Sequence, residues 1–273
     1  MKRLVMLSVL LVCFVPSALA QPGNWQGVEK VFGRKGAVQG DMLKVAFPRS
    51  DLSVKIGEVT LEPGLALTSW IGFRKMGKEA MMMGDLVLLE EEVAPVMAKL
   101  VAEGIGITAL HNHLIGTRPV VMFLHFSGEG NPERLSGAMR SALAVSGTPL
   151  GSPVPELSPA APPDWSKVGA ILGKKGAIKG NLFQVSFPRK EKVTEKGLAV
   201  PPYLGVGSSV NFQKVGDKAA ATGDFVLIGS EVNPVIRALV GHGLTVTAVH
   251  SHMLFESPRL FYLHFWGYDE PAR

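Results

Sequence analysis

The chain has 273 residues and a formal net charge of +5, and 47% of its residues are hydrophobic. This length and apolar content suffice for one or two domains with their own cores. The basic residues form no cluster, so the mild positive charge gives no basis for nucleic-acid binding. A single cysteine, Cys13, excludes a disulfide framework.

The first 20 residues have the pattern of a secretory signal peptide. Lys2 and Arg3 precede a short apolar run, and an Ala-Leu-Ala sequence then ends at Ala20. The run is too short to span a membrane, and the small-residue ending is typical of a cleavage site. A valine precedes Cys13, where a lipoprotein signal has a small residue. We therefore expect cleavage near Ala20 and a soluble exported product, periplasmic or extracellular, without a transmembrane segment.

The remainder of the chain is predicted to be a tandem duplication. The string Phe47-Pro48-Arg49 returns as Phe187-Pro188-Arg189, and Gly84-Asp85 returns as Gly223-Asp224. Units of this length are whole domains, because solenoid repeats have only about 20–50 residues. A stretch rich in Pro, Ser, Gly and Ala separates the copies and is typical of a linker. The predicted organisation is signal peptide 1–20, repeat domain 21–145, linker 146–164 and repeat domain 165–273.

Each repeat is predicted to contain the same elements in the same order. In chain order the first has strands at 42–47, 70–74 and 85–89, a helix at 91–103 and a strand at 105–113. Their counterparts in the second are 182–187, 210–213, 224–228, 231–242 and 244–252. A hairpin follows in both copies, and only the first continues into a helix at 132–144. This β-α-β-β order predicts an α+β fold with a mixed or antiparallel sheet in each domain. Arg49 and Arg189 are interpreted as solvated strand ends.

Six of the seven histidines fall into one repeated pattern. The pattern contains, in chain order, His111, His113 and His125, then His250, His252 and His264. Residues two apart on a strand face the same side of a sheet. A hairpin folded symmetrically about Arg118, or about Ser257 in the second copy, places the third histidine opposite the first. Opposed Cβ atoms lie about 4.5–5.5 Å apart, so the three imidazoles of each repeat are predicted to converge.

Three neutral imidazoles with one open position are typical of a catalytic zinc site. The sequence therefore predicts a tri-histidine site for a divalent transition metal in each repeat, with zinc as the first candidate and copper as the second. Such an ion lowers the pKa of a bound water, so a reaction at this site would be hydrolytic, although no general base is identifiable. Asp85, Asp224 and Glu256 are candidates for supporting the imidazoles from outside the ligand set.

The strings ALHNHLIGTRPVVMFLHFSG and AVHSHMLFESPRLFYLHFWG, with GDFVLIGSEVNPVIRALVGHG ahead of the second, are the most specific part of the sequence. They resemble the bacterial domain-of-unknown-function family that includes the mycobacterial proteins LppY and LpqO. The resemblance covers both repeats and implies a bacterial exported protein with a duplicated domain. It implies no catalytic residues.

A second function is left open by the sequence, namely a non-catalytic binding or interaction module of the cell envelope. In that case the histidines are structural and the hairpins form a surface between the domains or toward a partner. An open pocket at the histidines would favour the metalloenzyme, whereas histidine faces covered by the other domain would favour the module. In either case we expect the two repeats to pack on each other. The sequence names neither a substrate nor an envelope partner.

Overall fold

The structure is a computed structural model that describes residues 24–151 and 162–272. The predicted signal peptide and most of the predicted linker lie outside these residues. Among the described helices, none is both long enough and apolar enough to cross a membrane.

Two similar halves follow each other along the chain. The first contains α1 (Gln26–Phe32), β1 (Ala37–Gln39), β2 (Met42–Pro48), β3 (Lys55–Ile56), β4 (Val59–Thr60), α2 (Pro63–Ala66), β5 (Thr68–Met76), β6 (Glu79–Leu89), α3 (Glu90–Ala102), β7 (Gly106–His111), β8 (Val121–Gly130) and α4 (Pro132–Leu143). The second contains α5 (Ser166–Leu172), β9 (Ala177–Lys179), β10 (Leu182–Pro188), β11 (Val193–Glu195), β12 (Leu198–Val200), β13 (Gly207–Val215), β14 (Lys218–Ile228), α6 (Gly229–Gly241), β15 (Thr245–His250), β16 (Glu256–Ser257) and β17 (Leu260–Asp269).

Each half is built on one six-stranded sheet. The strand orders are β1-β2-β5-β6-β8-β7 and β9-β10-β13-β14-β17-β15, and the paired strands are antiparallel. The order β6-α3-β7-β8 and its counterpart β14-α6-β15-β17 confirm the predicted α+β fold with two similar sheet-bearing halves. The last strand of each half lies between its hairpin partner and the strand before the helix. This arrangement aligns β8 with β6, and β17 with β14.

Alternation along β6 and β8 assigns their side chains to two different faces. Met82 and Leu86 of β6 lie in a core with residues of α1, α3 and α4. Met81 and Met83, which alternate with them, lie in a cluster that also contains Tyr262 and other buried residues of the second half. Both faces of β6 are therefore covered, and its odd-numbered residues, including Asp85, face away from the helices.

Arg49 is a correction to the sequence analysis. Its side chain is fully buried and donates to both carboxylate oxygens of Glu92, at 2.7 and 3.0 Å, and to the backbone oxygen of Val87. Glu92 also accepts from the backbone N–H of Leu89 at the start of α3. The strand end is not solvated, because this ion pair joins β2 to the helix. Arg189 forms the equivalent pair with Glu231, whose side chain is 39% exposed.

The hairpin register is a second correction. His111 pairs with Phe123, and His125 pairs with Ala109, so the two histidines are diagonal neighbours and not directly opposite. The second copy is shifted in the same way, with His250 opposite Tyr262. The pairing of β7 with β8 is displaced for two reasons. The register is irregular between Ile107 and Ala109, and an irregular connection stands in place of a tight turn. The strand β7 also ends at His111, before the predicted end at residue 113.

Candidate metal centre

The six histidines of the repeated pattern form one cluster between the two sheets. His111 stacks on His250 with ring centroids 3.5 Å apart. The histidines of β8 and β17 each stack on a histidine of the other half, with His125 on His252 at 3.7 Å and His264 on His113 at 3.8 Å. The histidine cluster, as these six residues are called below, therefore contains both predicted triads and places them against each other.

Two overlapping groups within the histidine cluster have the spacing of metal ligands. In each group of four, the ligand atoms all lie within 4.8 Å of one another. The groups are His111, His113, His125 and His252, and His113, His250, His252 and His264. Two ligands about 2.0–2.1 Å from a tetrahedral zinc ion stand about 3.3 Å apart, so this spacing needs only small adjustments. Each group contains one predicted triad and one histidine from the other repeat.

The Nε2 atoms of all six clustered histidines are buried and have no hydrogen-bond partner. The other ring nitrogen faces the backbone in several cases: Nδ1 lies 3.0 Å from the Gly223 oxygen for His264, and 3.3 Å from the Asn112 oxygen for His111. A proton on Nδ1 that binds a carbonyl leaves the Nε2 lone pair free, which is the usual state of a metal-ligating histidine. The cluster therefore presents six unpaired acceptor atoms to one small volume.

Asp85 and Asp224 join the cluster because of strand pairing. Asp85 stands opposite His125, and Asp224 stands opposite His264. Their Oδ1 atoms lie 3.7 and 3.8 Å from the Nε2 atoms of these histidines, and neither oxygen has a hydrogen-bond partner. The separations are too long for hydrogen bonds. A supporting carboxylate would bind Nδ1, whereas these two carboxylates face the ligand nitrogen.

Glu256 lies apart from these groups. Its carboxylate accepts from the backbone N–H of Leu260 and from the guanidinium of Arg259, at 3.2 and 3.1 Å. It belongs to the short strand β16, which pairs with β11. The structure therefore gives this side chain a role within the loop of the second hairpin.

Burial controls the charges of the cluster. It lowers the pKa of all six histidines. The pKa of His111 falls to about 4, and the pKa of His250 falls to about 3 because repulsion from His111 adds to the effect of burial. Burial raises the pKa of Asp224 to about 8 and that of Asp85 well above its usual range, to which the charge of Asp224 contributes. Burial therefore favours the uncharged forms of the imidazoles and of both carboxyl groups, and a buried cation would favour the ionised carboxylates.

A cleft of about 370 Å³ leads to one side of the cluster. Its lining includes Asp85, His113, Asp224 and His264 together with Lys44. The Lys44 ammonium lies 3.9 Å from the centroid of the Trp70 ring, and burial lowers its pKa to about 8. Lys44 and Trp70 could not be found from the repeated pattern, because the second repeat has Gln184 and Ser209 at the matching places. The cleft gives small molecules access to the histidines and provides one cation for an anionic group.

A much smaller cavity lies beside His125 and His252. It has a volume of about 20 Å³ and is lined by apolar residues such as Met83 and Leu204 together with polar ones such as Glu195. A separate apolar cavity of about 430 Å³ on the second half, lined by Phe212 and Leu239, contains none of the clustered histidines. Of these three cavities, the cleft that contains Lys44 is the large one that reaches the clustered histidines.

Comparison with protein families gave a match over both repeats. The model of a family described as Domain of Unknown Function (DUF1259) matches residues 26–145 and matches again at 166–273. Each matched range contains three of the clustered histidines and one of the two aspartates. Searches of curated proteins and of solved structures gave no match.

Proposed function

The chain belongs to the Domain of Unknown Function (DUF1259) family in two tandem copies, and we propose that it is an exported protein that binds divalent transition metal ions in the histidine cluster. Zinc is the first candidate and copper is the second, because neutral imidazole suits both ions. The family match confirms the resemblance found in the sequence, but it brings no activity with it. The chemistry therefore rests on the cluster.

One observation carries the metal proposal: six buried Nε2 atoms without a partner. Buried polar atoms are nearly always hydrogen-bonded, and each unpaired one costs about 1–3 kcal/mol. Binding of a cation removes this cost by giving the lone pairs a partner.

The competing function is a non-catalytic envelope module with structural histidines. Its supporting observation is that the imidazole rings lie against rings of the other repeat, as at His111 and His250. The opening of the cleft toward His113 and His264 supports the metal site. Structural histidines would have used their Nε2 atoms for hydrogen bonds between the repeats. The unpaired nitrogens therefore favour the metal site.

Packing of the two repeats on each other is part of this proposal, because both ligand groups need histidines from both copies. The hydroxyl of Thr247 donates to the backbone oxygen of His113 at 2.6 Å. The backbone N–H of Glu62 donates to the side-chain oxygen of Gln213 at 2.8 Å. These contacts support a fixed arrangement of the two copies around the cluster.

The proposed activity at this site is metal-dependent hydrolysis. A bound divalent ion would lower the pKa of a water ligand and polarise a substrate oxygen. The cleft would admit the substrate, and Lys44 would bind an anionic group on it. We expect zinc-dependent cleavage of p-nitrophenyl esters or of bis-p-nitrophenyl phosphate, lost on chelation. Equal rates with and without zinc would reject a metal-dependent reaction on these compounds.

Export is the remaining part of the proposal, and it rests on residues 1–20 of the sequence. Cleavage after Ala20 predicts a mature chain that begins with Gln21. Mass measurement of protein recovered from a periplasmic extract tests this directly. Recovery of the uncleaved chain from the cytoplasm would reject it.

Metal content tests the binding proposal. The full chain is purified without a histidine tag, and its metals are measured by plasma mass spectrometry beside the variant H113A/H252A. The control is His242→Ala, which removes the exposed seventh histidine. We expect metal in the wild type and in the control, and its loss in the double variant. A wild type that is empty and takes up neither zinc nor copper on titration would overturn the proposal.

A further inference from the structure

We infer that the histidine cluster holds two metal ions and that each ion takes ligands from both repeats. The first ion lies among His111, His125 and His252. The second lies among His250, His264 and His113. This inference rests on the proposed metal binding and specifies the site.

The number of unpaired donor atoms requires two ions. Six Nε2 atoms and the Oδ1 atoms of Asp85 and Asp224 are buried without a partner, which makes eight atoms. One tetrahedral ion accepts four protein ligands, so it would leave four of the eight unpaired. Two ions with three histidines each use all six nitrogens, and the fourth position of each ion is left for an aspartate or a water. Two-metal sites with ions about 3.5–4 Å apart are common in enzymes, and this cluster has the size for one.

Ring separations assign the histidines to the two ions. Among His111, His125 and His252 the longest distance between ring centroids is 5.7 Å. If His113 replaces His252, so that all three come from the first repeat, the longest distance becomes 6.3 Å. The tighter set therefore includes one histidine of the second repeat.

The other half of the cluster repeats this preference. Among His250, His264 and His113 the longest distance between ring centroids is 5.8 Å. The set from the second repeat alone, with His252 in place of His113, reaches 6.5 Å. The same exchange of one histidine thus gives the more compact set in both halves.

The carboxylate of Asp85 links the two sets. Its Oδ1 lies 3.7 Å from Nε2 of His125, and its Oδ2 lies 3.9 Å from Nε2 of His113. These histidines belong to different ions in the inferred assignment, so Asp85 reaches both ions. The Oδ1 atom of Asp224 lies 3.8 Å from Nε2 of His264 and belongs with the second set. The ions therefore join the repeats, and neither repeat contains a complete site.

Two double variants of the full chain separate this assignment from one ion per repeat. H113A/H264A removes two ligands of one inferred ion and leaves the other ion's set intact. H111A/H113A removes one ligand from each inferred ion, although both residues belong to the first repeat. Each protein is loaded with zinc and desalted, and its zinc is measured by plasma mass spectrometry. Circular dichroism without metal checks that each variant folds.

The inference predicts two zinc ions in the wild type, one in H113A/H264A and fewer than one in H111A/H113A. The reverse order of the variants, or equal losses in both, would overturn the shared assignment. One ion in the wild type would overturn the two-ion site and leave the proposed function standing, whereas no ion would overturn both. If a variant does not fold, the mirror pair H125A/H252A and H250A/H252A carries the same test.

Discussion

Replacing His252 with leucine separates the cost of the empty cluster from the gain on metal binding. The Nε2 atom of His252 is buried and unpaired, and its ring stacks on His125 and Tyr262 at centroid distances of 3.7 and 3.4 Å. Leucine keeps much of the apolar contact and removes the unpaired nitrogen. The metal-free and metal-bound proteins should therefore respond in opposite directions.

The expected magnitudes follow from these contacts. Removing one buried unpaired polar atom is worth about 1–3 kcal/mol, and a change of shape at similar volume costs less than about 1.5 kcal/mol. Without metal, the variant should thus be as stable as the wild type or about 1–2 kcal/mol more stable. Zinc at 1,000 times its Kd stabilises the wild type by about 4.1 kcal/mol for each bound ion, and the variant should lose the share of the ion that His252 binds.

Urea unfolding followed by circular dichroism measures both effects, once with a chelator and once with zinc. The control is His242→Leu, in which the zinc-dependent gain should persist because this histidine is outside the cluster. A His252→Leu variant that is less stable than the wild type by more than about 1 kcal/mol without metal would refute the reasoning, since the ring would then be structural.

Three further predictions concern the scaffold of the site. Arg49→Ala leaves the buried Glu92 carboxylate without its guanidinium partner and should lower the free energy of unfolding, measured in urea, by about 3–5 kcal/mol. Arg189→Ala, at the more exposed pair, should lower it by about 0.2–1 kcal/mol. Equal losses of stability in the two variants would contradict this expectation. Burial raises the pKa of Glu92, but hydrogen bonds from Arg49 and the backbone outweigh it and lower the pKa below the ordinary 4.5. The stability that the ionised Glu92 contributes is thus present above about pH 4.5 and is lost as the pH falls through the lowered pKa. In Glu92→Gln the free energy of unfolding should therefore fall less steeply on acidification. The same pH dependence in variant and wild type would reject this link. Gly84→Ala places a Cβ 2.2 Å from the backbone oxygen of Trp70, beside Asp85. We expect a loss of stability of about 1–3 kcal/mol or more, seen as a lower thermal midpoint, together with weaker zinc binding. Wild-type values for both would count against it.

Local sequence pattern was enough to predict the long strands of each sheet, but not short ones such as β1 and β3, and to predict which histidines approach one another within a repeat. The spacing of His111 and His113, repeated at His250 and His252, predicted a common side of the sheet because strand side chains alternate. The rings do lie 5.0 and 4.8 Å apart, although β7 and β15 end at His111 and His250. The pairing register could not be obtained in this way. It depends on the irregular connection and on the irregularity before Ala109, neither of which leaves a periodic signal.

Contacts between distant segments were the part that sequence could not supply. Periodicity describes one strand at a time, so it could not show that His111 meets His250. The ion pair of Arg49 with Glu92 was missed for a related reason, although a signal existed, since both residues recur as Arg189 and Glu231. Recurrence of opposite charges at matched places in a duplication is therefore evidence for a conserved contact within each copy.

Anomalous diffraction at the zinc absorption edge, from crystals of the zinc-loaded full chain, tests the central claim most directly. The account predicts two anomalous peaks among the Nε2 atoms of the histidine cluster, with Asp85 beside both. Zinc bound elsewhere on the protein with no peak inside the cluster would contradict it.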